Sequence, residues 1–137
     1  MKIALAASMM FSSQMVEIRD KLVALWHEVI LPYNTEKYAS KEWSMESRKE
    51  STKNKIEWDL FRGYFNILKE VDAILIVNYD KNGIANYIGG NSFLEAAFAH
   101  ILNKTIYFLN PIPEMIYTDE LKALWAVIIN GDMKKIH

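Results

Sequence analysis

Cysteine is absent from the 137 residues, which removes disulfides, thiolate catalysis and sulfur-rich zinc sites together. A chain of this kind suits a reducing cytoplasm, the location expected for it. An excess of one charge is missing too: 16 basic against 17 acidic side chains leave a formal net charge of −1. No overall field therefore favours a nucleic-acid polymer or an anionic membrane surface. No stretch approaches the ~20 apolar residues that span a bilayer. No cluster of His, Asp and Glu has metal-ligand spacing, so neither a metal nor a cofactor is expected. What is present is a globular balance, 51% apolar and 24% charged, over a length that fits one domain covering residues 1–137.

The opening apolar run Ile3 to Ala7 is short for a signal peptide and is followed at once by an amphipathic charged segment. It reads as a strand covered on both faces. From Ser12 to Trp26, apolar residues Met15, Ile18, Leu22 and Leu25 recur at helical steps, and Ser12 or Ser13 can cap that helix. His27 to Leu31 is a second strand, stopped by Pro32. The stretch Tyr33 to Lys53 has no clean period and reads as an excursion with one helical turn around Trp43.

Helical spacing resumes from Ile56 to Val71. The segment Asp72 to Asn78, apolar between polar ends, has the form of a central parallel strand. A turn-rich stretch from Tyr79 to Gly90 leads to a helix from about Ser92 to Leu102, then a strand at Thr105 to Leu109. A short helix at Asp119 to Leu124 and a last strand at Ala126 to Ile129 complete the order. Strands alternating with helices predict an α/β fold of three layers, with a five-stranded parallel sheet in the flavodoxin-like, Rossmann-like order 2-1-3-4-5.

Ligands of such sheets bind past the carboxyl ends of the strands where the winding direction changes, here between strands one and three. That selects Ser8, Met9, Met10 and Phe11 after the first strand, and Asn78, Tyr79 and Asp80 after the third, with Asn110 next to them. The sharpest local feature is Tyr87-Ile88-Gly89-Gly90-Asn91-Ser92-Phe93-Leu94-Glu95. Its glycines let backbone approach a ligand, and the amides after them open a helix that welcomes anionic or polar groups. Placed in the first helical turn, Glu95 would be held ionised by the helix dipole, as a carboxylate nucleophile attacking a sugar carbon requires. Ser92-x-x-Glu95 is equally a capping box, in which the glutamate only returns a hydrogen bond to the helix start.

The strand Asp72 to Asn78, the glycine-bearing turn, Glu95-Ala96-Ala97-Phe98-Ala99 and Lys104 together resemble the nucleoside 2-deoxyribosyltransferase-like family, which includes deoxynucleoside monophosphate N-glycosidases. Ile3 to Ser8 and His27 to Pro32 extend the likeness over most of the chain. The resemblance implies a glutamate nucleophile at Glu95 that forms a glycosyl ester, resolved by water or a second base. It implies substrate contacts from Ser8, Met9 and Phe11 and from Gly90, Asn91 and Ser92. It also implies homodimers or higher homo-oligomers.

Two positions depart from the family pattern. Eight residues before Asp72, where relatives carry a second carboxylate, this chain has Tyr64, and Asp59 is the nearest acid on that helix. Either Asp59 substitutes, or the Tyr64 hydroxyl holds the leaving group or sugar, or activity is lost. Ala6-Ala7-Ser8 also lacks the glycine that many relatives place beside the serine. The expected function is cleavage or transfer at the N-glycosidic bond of a small-molecule nucleoside or nucleoside 5′-monophosphate. The alternative is a non-catalytic nucleotide-binding sensor on the same fold. His27 and His100 read as structural, the four tryptophans as core or interface, and Trp43 and Trp58 as able to stack on a base if the excursion covers the site.

Overall fold

Ile3, Ala4, Leu5 and Ala6 have no exposed surface. A segment closed off on both faces must pair its backbone within the protein, as a strand flanked by other strands does. The computed structural model describes residues 1–40, 49, 52, 53, 56 and 59–137 and shows this strand as β1 (Lys2–Ala6). It runs between β2 (Glu28–Ile30) and β3 (Ala73–Ile76). Beyond β3 lie β4 (Thr105–Phe108) and β5 (Val127–Ile128), all parallel, giving the five-stranded order β2-β1-β3-β4-β5. This is the order read from the alternation of elements. The regular strands are slightly shorter than the apolar runs, but the ladder continues past them: Val77 N donates to Ala6 O at 2.9 Å and Ile129 N to Phe108 O at 2.9 Å.

The pairing places Ile3 opposite Ala73 and Ala6 opposite Ile76, and alternate side chains then fall on opposite faces. On one face Ala4, Ala6, Ile74, Ile76 and Phe108 pack with Leu68, Ala96 and Ala99. On the other, Ile3, Leu5 and Leu75 pack with Met15, Ile18 and Leu22 and with Met133 and Ile136. The first set belongs to helices α3 (Leu60–Lys69) and α4 (Gly90–Ile101), the second to α1 (Ser12–Ala24) and to a terminal 3₁₀ turn at Met133–Lys135 with its C-cap Ile136. Three layers result. Each large apolar side chain fully buried in the sheet contributes about 1.5–3 kcal/mol over its exposed state. Ala96 and Ala99 have no exposed surface, and their small side chains let α4 lie close to the sheet.

Helix starts differ from the sequence reading. Neither Ser12 nor Ser13 caps α1, whose N-cap is Phe11 with no side-chain bond. A 3₁₀ turn at Met9–Phe11 comes first, and Ser8 caps that turn by accepting from Met10 N at 3.4 Å. Helix α3 begins at Leu60, after Asp59 takes a left-handed conformation (φ 46°) and accepts from Arg62 N at 3.4 Å. Within the excursion, Thr35 donates its hydroxyl to Pro32 O at 2.7 Å and opens α2 (Thr35–Ala39), anchored by the buried Tyr38. The turn expected around Trp43 and the stacking considered for Trp43 and Trp58 lie outside the described residues. Trp26 and Trp125 are 93% and 85% exposed, so these two are not core residues.

At the amino ends of the strands, Asp72 accepts from Lys2 N at 2.7 Å and Lys104 Nζ donates to Lys69 O at 3.3 Å, at the end of α3. His27 Nδ1 lies 3.2 Å from the Met1 amine, and His100 is exposed in the last turn of α4. Among the described residues no helix is long and apolar enough to cross a membrane. A further short helix, α5 (Thr118–Lys122), precedes β5 in the chain.

Candidate functional site

Past the carboxyl ends of β1 and β3 lies a cavity of about 450 Å³, within the span of small-molecule sites. Its walls come from the turn after β1, from α3, from the connection after β3 and from the first residues of α4. Of the sites chosen from sequence, Ser8, Met9, Tyr64, Gly90, Asn91, Ser92 and Glu95 all line it. Phe11, Asp59, Asn78 and Asn110 are not among the residues around it.

The start of α4 bears on the capping-box reading of Glu95. A capping box would need Ser92 as N-cap. The N-cap is instead Gly89, in an extended conformation with no side-chain bond, and the first helical bond runs from Phe93 N to Gly89 O at 2.9 Å. Ser92 is therefore the third residue of the helix, buried at 3% exposure. Glu95 is the sixth, beyond reach of the box. This also corrects its expected place in the first turn, where the helix dipole acts most strongly. Glu95 shares a helix face with Asn91 and Ser92, four and three residues earlier, and all three border the cavity. The leading amides of α4 have no intrahelical acceptors and open on the same side.

Tyr64 stands across from Glu95 and is only 7% exposed. Its phenol donates to Leu5 O at 2.7 Å, tying α3 to β1. Burial, and after it the nearby negative charge of Glu95, push this phenol well above its usual value of 10.0. It remains protonated and its proton is already committed. The expectation that the hydroxyl holds a leaving group or sugar is corrected accordingly: Tyr64 is a wall, with only oxygen lone pairs left to offer. Asp59 does not replace the missing acid. It caps α3 and pairs with Arg62 Nε at 3.2 Å, with its side chain 59% exposed.

The turn after β1 presents Ser8, whose Oγ accepts from Lys81 Nζ at 2.8 Å. Lys81 lines the cavity and lies over the Tyr87 ring, 5.5 Å from its centroid. Sequence reasoning passed over this lysine. The signal was the dipeptide Asn82-Gly83 in the connection that follows the third strand, because two residues with positive φ make a tight hairpin. They adopt φ 55° and 74°, and Lys81 and Ile84 exchange backbone bonds of 3.1 and 2.9 Å. Among the described residues around the cavity, Glu95 is the one carboxylate and Lys81 the one ammonium.

Asn78 and Asn110 are corrected from substrate contacts to a structural latch. Asn78 has no exposed surface. Its amide nitrogen donates to Asn110 O at 3.0 Å, Pro111 O at 3.2 Å and Asn86 O at 3.3 Å, while its oxygen accepts from Asn110 N at 2.9 Å. Asn110 Nδ2 donates back to Asn78 O at 2.9 Å. The buried amide of Asn78 is satisfied by these bonds, and the half-buried Asn110 turns its Nδ2 to Asn78 and does not line the cavity. Phe11 is likewise removed from the site, since its ring is buried edge-on against Tyr79 at 5.5 Å.

The cavity joins a carboxylate to a set of donors made by Lys81, Ser8 and the head of α4, with an apolar and aromatic lining between. It suits a small polar ligand with acceptors for these donors and a group that a carboxylate can engage. Among the described residues no three His, Asp or Glu side chains are grouped as metal ligands are. No protein-family model and no curated protein matches this chain.

Proposed function

We propose that the chain cleaves or transfers at the N-glycosidic bond of a nucleoside or nucleoside 5′-monophosphate, with Glu95 as nucleophile. One observation carries the reading: α4 is capped by Gly89, so the side chain of Glu95 is not spent on the helix start and borders a cavity of about 450 Å³. A Glu95 oxygen bonds to the anomeric carbon as the carbon–nitrogen bond breaks, and the bonding pair leaves on the base, which takes a proton from water. Water, or the nitrogen of a second base, then attacks the same carbon and returns the carboxylate.

The resemblance described above supplies the substrate class, and the cavity's position at the switch point between β1 and β3 supports a site there. The test is release of free base from a panel of deoxynucleosides and their 5′-monophosphates, with a mass search for a glycosylated Glu95 peptide. Release that disappears in Glu95→Gln is the expected result. Equal release from that variant sinks the nucleophile.

A second reading is favoured by Tyr64, which occupies the place of the family's other carboxylate with its proton held by Leu5 O. On that reading the chain is a nucleotide-binding sensor, and ligand binds without any base being released. A homo-oligomer is part of the proposal as well, supported by the exposure of Leu94 (42%) and Ile101 (75%) on α4.

A further inference from the structure

Lys81 is held in place by more than its own side chain. The hairpin that carries it is closed by reciprocal bonds between Lys81 and Ile84. Its base is fixed by the Asp80 carboxylate accepting from Asn86 N at 2.9 Å and by Tyr87 N donating to Tyr79 O at 2.9 Å. A long flexible side chain leaving so rigid a turn loses less entropy on reaching its target. The target is Ser8 Oγ at 2.8 Å, on the neighbouring strand's turn and 73 positions away in sequence. Lys81, Ser8 and the residues that lead α4 all line one cavity, and ammonium, hydroxyl and backbone amide can each donate. Such a set complements a group that only accepts and carries negative charge; a neutral hydroxymethyl group would leave most of it unused.

We propose that Lys81, with Ser8, is the specificity-determining pair of this cavity and selects a sugar bearing a 5-phosphate over the unphosphorylated sugar. The inference rests on the reading of the cavity as a nucleoside site and narrows it to nucleoside 5′-monophosphates. The phosphate lies against Lys81 and Ser8 while the anomeric carbon faces Glu95. Lys81 takes no part in bond making; it anchors the end of the substrate remote from the reacting carbon.

Calorimetry with 2-deoxyribose 5-phosphate, 2-deoxyribose and inorganic phosphate tests this on the intact chain. The phosphorylated sugar is expected to bind at least about tenfold more tightly than the neutral one, as one charge-assisted contact allows. Lys81→Gln should remove that preference, Lys81→Arg should restore most of it, and Ser8→Ala should reduce it while leaving the fold intact. A preference that survives in Lys81→Gln overturns the assignment, as does its absence from the unsubstituted protein. Inorganic phosphate binding as tightly as the sugar phosphate overturns it too. Phosphate selectivity without base release would leave Lys81 as the selector and end the glycosidase reading. Base release with equal kcat/KM for nucleosides and monophosphates would do the reverse.

Discussion

Two clefts sit side by side at the carboxyl edge of the sheet, and polar residues follow the strands at both. Between β1 and β3 the space is open, and Ser8, Lys81 and Glu95 face it. Between β3 and β4 it is filled, because Asn78 and Asn110 bond to each other's side chains and backbones. A polar residue past a strand end thus has two fates: it is sealed into an amide latch, as Asn78 is with Asn110, or it borders a cavity, as Ser8, Lys81 and Glu95 do. Amides carry both kinds of group and can close on each other. A carboxylate and an ammonium held on separate elements can each be matched by a ligand instead.

The sharpest way to break the contrast is at the open cleft. Glu95→Gln keeps the shape and removes the nucleophile, so base release should fall by about a thousandfold or more while the thermal midpoint hardly moves. Comparable turnover in the variant would make the open cleft as structural as the closed one. At the closed cleft the expectation inverts. Asn78→Leu leaves the carbonyls of Asn86, Asn110 and Pro111 without their donor, and urea denaturation should show a loss of about 3 kcal/mol. Were Asn78 a ligand contact, stability would stay level and affinity would drop.

A smaller effect tests the hairpin between the clefts. Gly83 has φ 74°, so Gly83→Ala should cost about 1 kcal/mol, with a matching loss of affinity for phosphorylated sugar as Lys81 is displaced. The smallest concerns Tyr64, whose phenol is held well above 10.0 in the folded chain. Because the unfolded chain releases that proton first, stability is full below pH 10 and declines as pH rises above it toward the folded value. Tyr64→Phe should make the alkaline decline shallower while costing about 1 kcal/mol at neutral pH for the lost bond to Leu5 O. An unchanged slope in an alkaline urea titration would refute this.

The strand order was legible because it rests on local patterns: short apolar runs between polar ends, such as Ala73 to Ile76, fit central strands, and helical spacing identifies Met15, Ile18 and Leu22. Much of the cavity wall was legible for a related reason, since the fold alone locates the switch point after β1 and β3. What stayed hidden depends on distant partners. Asn78 finds its match 32 positions away, and no local pattern distinguishes that from a residue waiting for a ligand. The start of α4 was misplaced by two residues because Gly89 caps it through backbone geometry alone, leaving no side-chain signature, while Ser92-x-x-Glu95 offered a false one. Phe11 was misplaced because an unforeseen 3₁₀ turn rotates it into the interior.

Gly90 opens α4 on the cavity wall, and a methyl group built there would meet no atom within 4 Å. Ordinarily a glycine within a helix signals crowding, yet nothing crowds this one. Replacement by a larger residue would firm up the helix by a few tenths of a kcal/mol to about 1 kcal/mol and occupy the space a guest molecule needs. The protein can therefore be made sturdier and emptier of purpose by the same substitution.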